Sequence, residues 1–166
     1  ILSLKEAGID LEVDEDKDTL EGNAIKKAVE AYGLAGCDTL ADDTGLMVDV
    51  LGGAPGVYSA RYAGEDATYA DNNAKLLREL EGKEDREAKF VCVMALVKNG
   101  EVITAKGEVN GRIEGQPAGE NGFGYDPLFY SYELGKTFAQ ASAEEKNAIS
   151  HRGRALSALK EKLEQN

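Results

Sequence analysis

Asn99-Gly100 stands between two β-prone runs, Phe90 to Val97 and Val102 to Val109, and this pairing most limits what the chain can become. Asn and Gly accept the positive φ that a tight turn between antiparallel strands requires. The first run is almost continuously apolar, as expected of a buried strand. A central hairpin is therefore expected, and other segments must cover it. Leu20 to Leu34 reads as a helix, with Thr19 as its cap, Ala24, Ala28 and Ala31 as a small apolar face, and Gly33 and Gly36 at its end. Ala70 to Leu80 reads as a second helix, with Leu76, Leu77 and Leu80 turned inward. Ser142-Ala143-Glu144-Glu145 is a capping box, and the helix after it is interrupted near Ser150 and runs to about Leu163.

Thr39 to Ala41 reads as a short strand leading into Asp42-Asp43-Thr44-Gly45. Gly111 to Gly124 carries glycines at 111, 115, 119, 122 and 124 and reads as irregular, with extended structure resuming from Pro127 to Tyr130. Helices and strands in this order predict an α/β fold, a central mixed sheet flanked by helices. A chain of 166 residues is expected to form one domain, 1–166.

The formal net charge of −12 argues against nucleic acid as a partner, because phosphate backbones need basic surfaces. A polyphosphate remains accessible to so acidic a chain where metal and a few Lys and Arg reverse the field inside one cleft. No apolar run is long enough to span a bilayer, and Ile1 to Glu6 lack a signal-peptide core, so no membrane partner and a cytoplasmic setting are expected. Cys37 and Cys92 form no CxxC pair, and this with a single histidine argues against a zinc site. Any metal must be held by carboxylates, which favours magnesium or manganese.

Three stretches are candidates for chemistry. In Asp42-Asp43-Thr44-Gly45, adjacent carboxylates point to opposite sides if the strand continues, so one can face a cleft and bind metal or orient a water. On those residues alone a polar turn is the simpler reading. In Asn121-Gly122-Phe123-Gly124-Tyr125-Asp126-Pro127, glycines free the backbone to approach a flat ligand, an aromatic can stack on a base, and Asp126 can accept from a purine N–H. A glycine-rich loop with buried aromatics explains the same residues. Lys146 to Arg154 places the only histidine, His151, beside Arg152 and near Lys146, donors suited to an anionic or 6-oxo ligand. A solvated helix start is the simpler alternative.

Taken together, these stretches resemble the inosine/xanthosine triphosphate pyrophosphatase family. Thr19 to Ala28 is similar to that family's T-F-x-x-N-A-x-x-K-A, and Asp42 to Leu46 to its D-D-S-G-L. Leu51 to Tyr62, reading L-G-G-A-P-G-V-Y-S-A-R-Y, matches the next segment almost letter for letter. Gly122 to Phe129 resembles G-F-G-Y-D-P-x-F, and Ser150 to Gly153 resembles S-H-R-G. The motifs follow the family's order over about Ile1 to Leu159, and that order, more than any single motif, carries the resemblance.

The resemblance implies an elongated, two-lobed domain with a central cleft, a homodimer, and magnesium-dependent hydrolysis of ITP, dITP and XTP to the monophosphate and pyrophosphate, which cleanses the nucleotide pool. By position it implies Asp43 as general base and metal ligand, with Glu15 holding magnesium from the opposite side. Lys27 would contact the triphosphate and Thr44 would replace the serine beside the substrate. Phe123 would stack on the base, with Gly124, Tyr125, Asp126, Lys146, His151 and Arg152 completing the nucleoside pocket. Donors at the 6-position would favour a keto oxygen and leave adenine's amino group badly paired. Asp42 would act more through metal affinity or local structure.

Gly22, Thr44 and Gln140 depart from the usual Glu, Ser and acid. The family's leading strand and phosphate loop, T/S-x-N-x-x-K, have no counterpart in the sequence from Ile1, so an N-terminally incomplete domain is expected. A Maf-like nucleotide pyrophosphatase of other base preference, or a catalytically impaired nucleotide-binding protein, are the alternatives; the former is not expected to carry Ser150-His151-Arg152.

Overall fold

The structure is a computed structural model that describes residues 1–165. The hairpin forms as expected. Strands β2 (Glu87–Lys98) and β3 (Glu101–Ile113) pair antiparallel over their whole length, with Asn99 at φ 51° and Gly100 at φ 81° in the turn. The positive φ at both turn residues matches the right-handed twist of the strands they join. Strand β1 (Thr39–Val48) pairs with β2 from Thr39↔Val97 to Val48↔Ala88. Two short strands, β4 (Phe129–Ser131) and β5 (Lys136–Thr137), continue the sheet on the other side of β3, giving the order β1-β2-β3-β4-β5.

The α/β class holds. Each ladder is antiparallel, so the mixture lies in helices with strands and not in strand direction. β1 and β3, expected over 39–41 and 102–109, both run further because pairing with β2 sustains extended backbone past the apolar residues. Thus β3 runs through Gly111 to Ile113, where glycine content alone predicts irregular structure from Gly111 onward. At Gly111 a Cβ would collide with the Tyr130 carbonyl, so glycine serves the β3–β4 pairing. Pro127 and Leu128 lie in a turn and not in extended structure, since the Leu128 and Phe129 amides both bond back to the Tyr125 carbonyl.

Helix α1 (Leu20–Ala35) packs on one face of the sheet. Thr19 accepts from the Gly22 amide, Gly36 closes the helix in the left-handed region, and Ala24 and Ala28 are fully buried against Val91, Val93, Ala95 and Val97. Small alanines let the helix approach the sheet closely. The opposite face carries α2 (Tyr69–Glu79), α3 (Ala143–Ile149) and α4 (His151–Glu164). There Leu46, Val48, Leu76, Leu80, Phe90, Val109 and Phe129 form one cluster, and Cys92, Met94, Ala105, Ala155 and Leu159 another. The capping box at Ser142 and Glu145 is complete. Ser150 ends α3 and caps α4, accepting from the Gly153 amide at 3.0 Å, which is the expected interruption. At Gly107 on β3 a Cβ would strike the His151 carbonyl and the Ala155 amide. Only glycine lets the first turn of α4 sit directly on the strand.

Candidate active site

Asp42-Asp43-Thr44-Gly45 is not a turn. All of it lies inside β1, paired with Met94, Val93, Cys92 and Val91. Side chains therefore alternate across the sheet. Ala41, Asp43 and Met47 face α1, and Thr44, Leu46 and Val48 face the other side, where Asp42 also points.

On the α1 face a charged cluster forms. Lys27 Nζ lies 2.9 Å from Glu15 Oε1 and 3.4 Å from Asp43 Oδ1. The segment bearing Glu15 is fixed by Asn23, wholly buried, whose Oδ1 accepts from the Lys17 amide at 2.9 Å. Arg61 adds a bond from Nη2 to the Glu15 carbonyl at 3.2 Å and lies 3.8 Å from its carboxylate. Asp43 Oδ2 is buried without a partner. Burial pushes the Asp43 carboxyl above its ordinary value; Lys27 draws it back and the Glu15 charge adds to the rise. Burial works against the Lys27 ammonium, but Glu15 and Asp43 outweigh it and hold that group above its ordinary value.

On the opposite face lies a cleft of about 530 Å³. The structure brings Thr44, Phe123, Gly124, Tyr125, Asp126, Lys146, His151 and Arg152 together in its wall, all of them singled out in the sequence. Lys27, Asp43 and Glu15 are not in that wall. A single strand separates the two groups, and Thr44, next in chain to Asp43, has its hydroxyl buried without a partner.

Phe123 is 63% exposed at the mouth, with Lys146 Nζ 4.7 Å from its ring centroid and Tyr69 facing it at 6.5 Å. Tyr125 is buried and donates to the Ser59 carbonyl at 2.7 Å. Asp126 is buried too. Its Oδ2 accepts from Lys146 Nζ at 2.7 Å and from the Phe123 amide at 3.0 Å, so it anchors the loop and the lysine. His151 stacks on Phe90 at 5.0 Å, and its Nδ1 is buried without a partner. Burial first, then the charges of Lys146 and Arg152, lower this imidazole to about 4, with Asp42 opposing, so the ring is neutral at neutral pH. Arg152 donates from Nε at 2.9 Å to Asp42 Oδ2, which also lies 2.8 Å from Nη2.

Ser59, Ala60, Tyr69 and Asn72 also line the cleft, and sequence reasoning did not single them out. Ser59 and Ala60 lie in the L-G-G-A-P-G-V-Y-S-A-R-Y segment, whose match carried no chemistry residue by residue. The signal at Tyr69 and Asn72 was the start of α2, where Thr68 and Asp71 form a complete capping box. Gly45 makes room for the short helix Gly56–Arg61, since a Cβ there would lie 2.5 Å from the Gly56 carbonyl.

An aromatic cleft of this volume on one face of a strand, with a carboxylate–ammonium cluster on the other, fits the class of α/β enzymes that act on nucleotide-like ligands. Comparison with known proteins narrows this class. The model of the Ham1 family matches residues 1–162, and the chain belongs to that family. A dITP/XTP pyrophosphatase of Clostridium tetani is 52% identical over 167 residues, which cover 98% of this chain and 83% of that protein. The structure of the Staphylococcus aureus Ham1 protein has a TM-score of 0.89 at 46% identity, covering 94% of this chain and 82% of that one. A HAM1 protein from Coxiella burnetii gives 0.91 at 42% identity, covering 98% and 84%.

Proposed function

We propose that this chain hydrolyses purine nucleoside triphosphates with a 6-oxo base, dITP, ITP and XTP among them, to the monophosphate and pyrophosphate. The observation that carries this is the pairing of the aromatic cleft with the Lys27–Glu15–Asp43 cluster across β1. The names of the relatives agree with it. Neither a Maf-like enzyme nor a protein that only binds nucleotides is favoured by the Ham1 match.

In this reading Phe123 stacks on the base, worth about 1–3 kcal/mol for such a platform. His151, neutral, and Arg152, with donors beyond the pair spent on Asp42, meet the 6-oxo edge. Lys146 lies between Asp126 and the Phe123 ring and completes the pocket. Thr44 lies beside the substrate, and Gly124 and Tyr125 shape the wall. Lys27 binds the triphosphate. Water attacks the α-phosphorus, the bond to the bridging oxygen breaks, pyrophosphate leaves, and Asp43 takes the proton from the water.

Magnesium is part of the reading. Glu15 and Asp43 would hold it, and the buried, unpartnered Asp43 Oδ2 is free for it. Among the described residues no group of three or more His, Cys, Asp or Glu converges, so water and phosphate oxygens must supply the remaining ligands, as is usual for magnesium. The bound ion would acidify the attacking water and offset phosphate charge. A homodimer and a cytoplasmic setting belong to the same reading. Among the described residues both cysteines are free, and no helix is long and apolar enough to cross a membrane.

The test is turnover of dITP, dATP and dTTP with and without magnesium, read as pyrophosphate and phosphate separately. Pyrophosphate from dITP, dependent on magnesium, is expected. Release of single phosphate overturns the reading.

A further inference from the structure

β1 carries two charged residues, and the scheme above uses only Asp43. Asp42 points to the cleft side. Its Oδ2 accepts from Nε of Arg152 at 2.9 Å, lies 2.8 Å from Nη2 of the same guanidinium, and lies 3.7 Å from the Cys92 thiol. The Arg152 side chain is 64% exposed, so this ion pair contributes little to stability. What contact along one edge of a planar guanidinium does is fix its plane, leaving Nη1 for a ligand. Asp42 also offsets the Arg152 charge, which makes that arginine a poorer partner for phosphate.

We propose that Asp42 is a positioning residue for base selection: it clamps Arg152 so that the remaining donors meet a 6-oxo base and not the triphosphate. This rests on the reading of Arg152 as a base contact. Of the two expectations for Asp42, metal affinity or local structure, it takes the second, since metal would be held on the other face of the strand. It also ties the two halves of the site together. Adjacent residues of one strand, Asp42 and Asp43, set the base pocket and the hydrolytic carboxylate, so the spacing between them is fixed by one peptide unit.

The experiment measures the ratio of affinities for IMP and AMP by calorimetry on the full chain, a readout of base recognition that needs no hydrolysis. Asp42→Asn is expected to narrow the ratio about tenfold, the size of one charge-assisted contact. Arg152→Ala should narrow it by a similar factor, and the double variant should add nothing further. Arg152→Lys, which keeps the charge and loses the planar fork, should resemble Asp42→Asn, and Asp42→Glu should recover part of the ratio. The melting temperature of Asp42→Asn should move by no more than about 3 °C. An unchanged ratio, effects that multiply in the double variant, or a variant that does not fold overturns the proposal. Failure of wild-type protein to release pyrophosphate from dITP counts against the hydrolytic reading alone.

Discussion

The two sides of β1 are built by different means. On the α1 side, regular elements carry the charged groups: Lys27 on α1, Asp43 inside β1, and Glu15 on a segment that Asn23 fixes to α1. On the cleft side the candidate groups come from the 121–127 loop, from α3 and the start of α4 around Ser150, and from Thr44 on β1. The first arrangement holds charge at fixed points against desolvation, with Asp43 raised by burial and Lys27 answering it. The second shapes an aromatic slot and keeps its imidazole uncharged. Damage to the first side should therefore appear in kcat, and damage to the second in KM.

The largest effect belongs to Asp43. Asp43→Asn keeps the shape and removes the proposed base, so kcat should fall at least a hundredfold, about 2.7 kcal/mol or more. Stability should hold or rise. A carboxyl raised by burial makes the ionised folded state costly above its pKa, and an amide carries no such charge. A kcat loss below roughly tenfold would show that Asp43 is not the base.

Next in size is a pH effect confined to the cleft side. The His151 ring goes from its ordinary 6.5 to about 4 on folding. The unfolded chain takes up a proton at His151 below about 6.5 and the folded chain does not. The stability from keeping the ring neutral is thus complete above 6.5 and is lost as pH falls towards 4. At 1.36 kcal/mol per unit the loss is on the order of 3 kcal/mol. His151→Gln should flatten this part of the stability curve. If wild type and variant lose stability in parallel between pH 6.5 and 4, the histidine is not the cause.

How much of this contrast the sequence revealed follows from what built each side. The Asn99-Gly100 hairpin, the alanine face of α1 and the Ser142 capping box are local signals, and they were legible. Asp42 to Gly45 looked like turn chemistry on local grounds. Ten ladder pairs with β2 overrode that, and no local rule contains them. The motif order located the cleft wall, but it could not show that Asp126 spends Oδ2 on Lys146 and a backbone amide, or that Asp42 holds Arg152. The Lys146–Asp126 and Arg152–Asp42 pairings join residues 20 and 110 positions apart. Tyr69 was missed because its approach to Phe123 exists only once α2 packs beside the loop.

Phe123 sharpens the comparison at intermediate size. Its ring is exposed and touches little of the core, so Phe123→Ala should barely change the melting temperature. KM for dITP should rise roughly tenfold, from the loss of a stacking surface worth about 1–3 kcal/mol, with kcat changed much less. A fall in kcat with KM unchanged would move Phe123 out of the base pocket.

The smallest effect separates the sides most cleanly, because it uses the same chemistry on each. Thr19 and Ser150 are both N-caps: Thr19 Oγ1 accepts from the Gly22 amide at 2.9 Å, and Ser150 Oγ from the Gly153 amide at 3.0 Å. Replacing either by alanine should cost about 1 kcal/mol, or about 3 °C in melting temperature. The consequences for the site differ, because loss of a cap frays only the first turn of a helix. In α4 the first turn is His151 and Arg152 themselves, so Ser150→Ala should raise KM for dITP about threefold, in proportion to the order lost. In α1 the residue proposed to act is Lys27, about two turns beyond Leu20 and held by Glu15 and Asp43, so Thr19→Ala should leave KM within about twofold. Steady-state kinetics on the two variants, at matched loss of stability, decide the point. Equal KM shifts would mean that the base pocket depends no more on the α3–α4 break than the charged cluster depends on the start of α1, and the division of labour across β1 would fail.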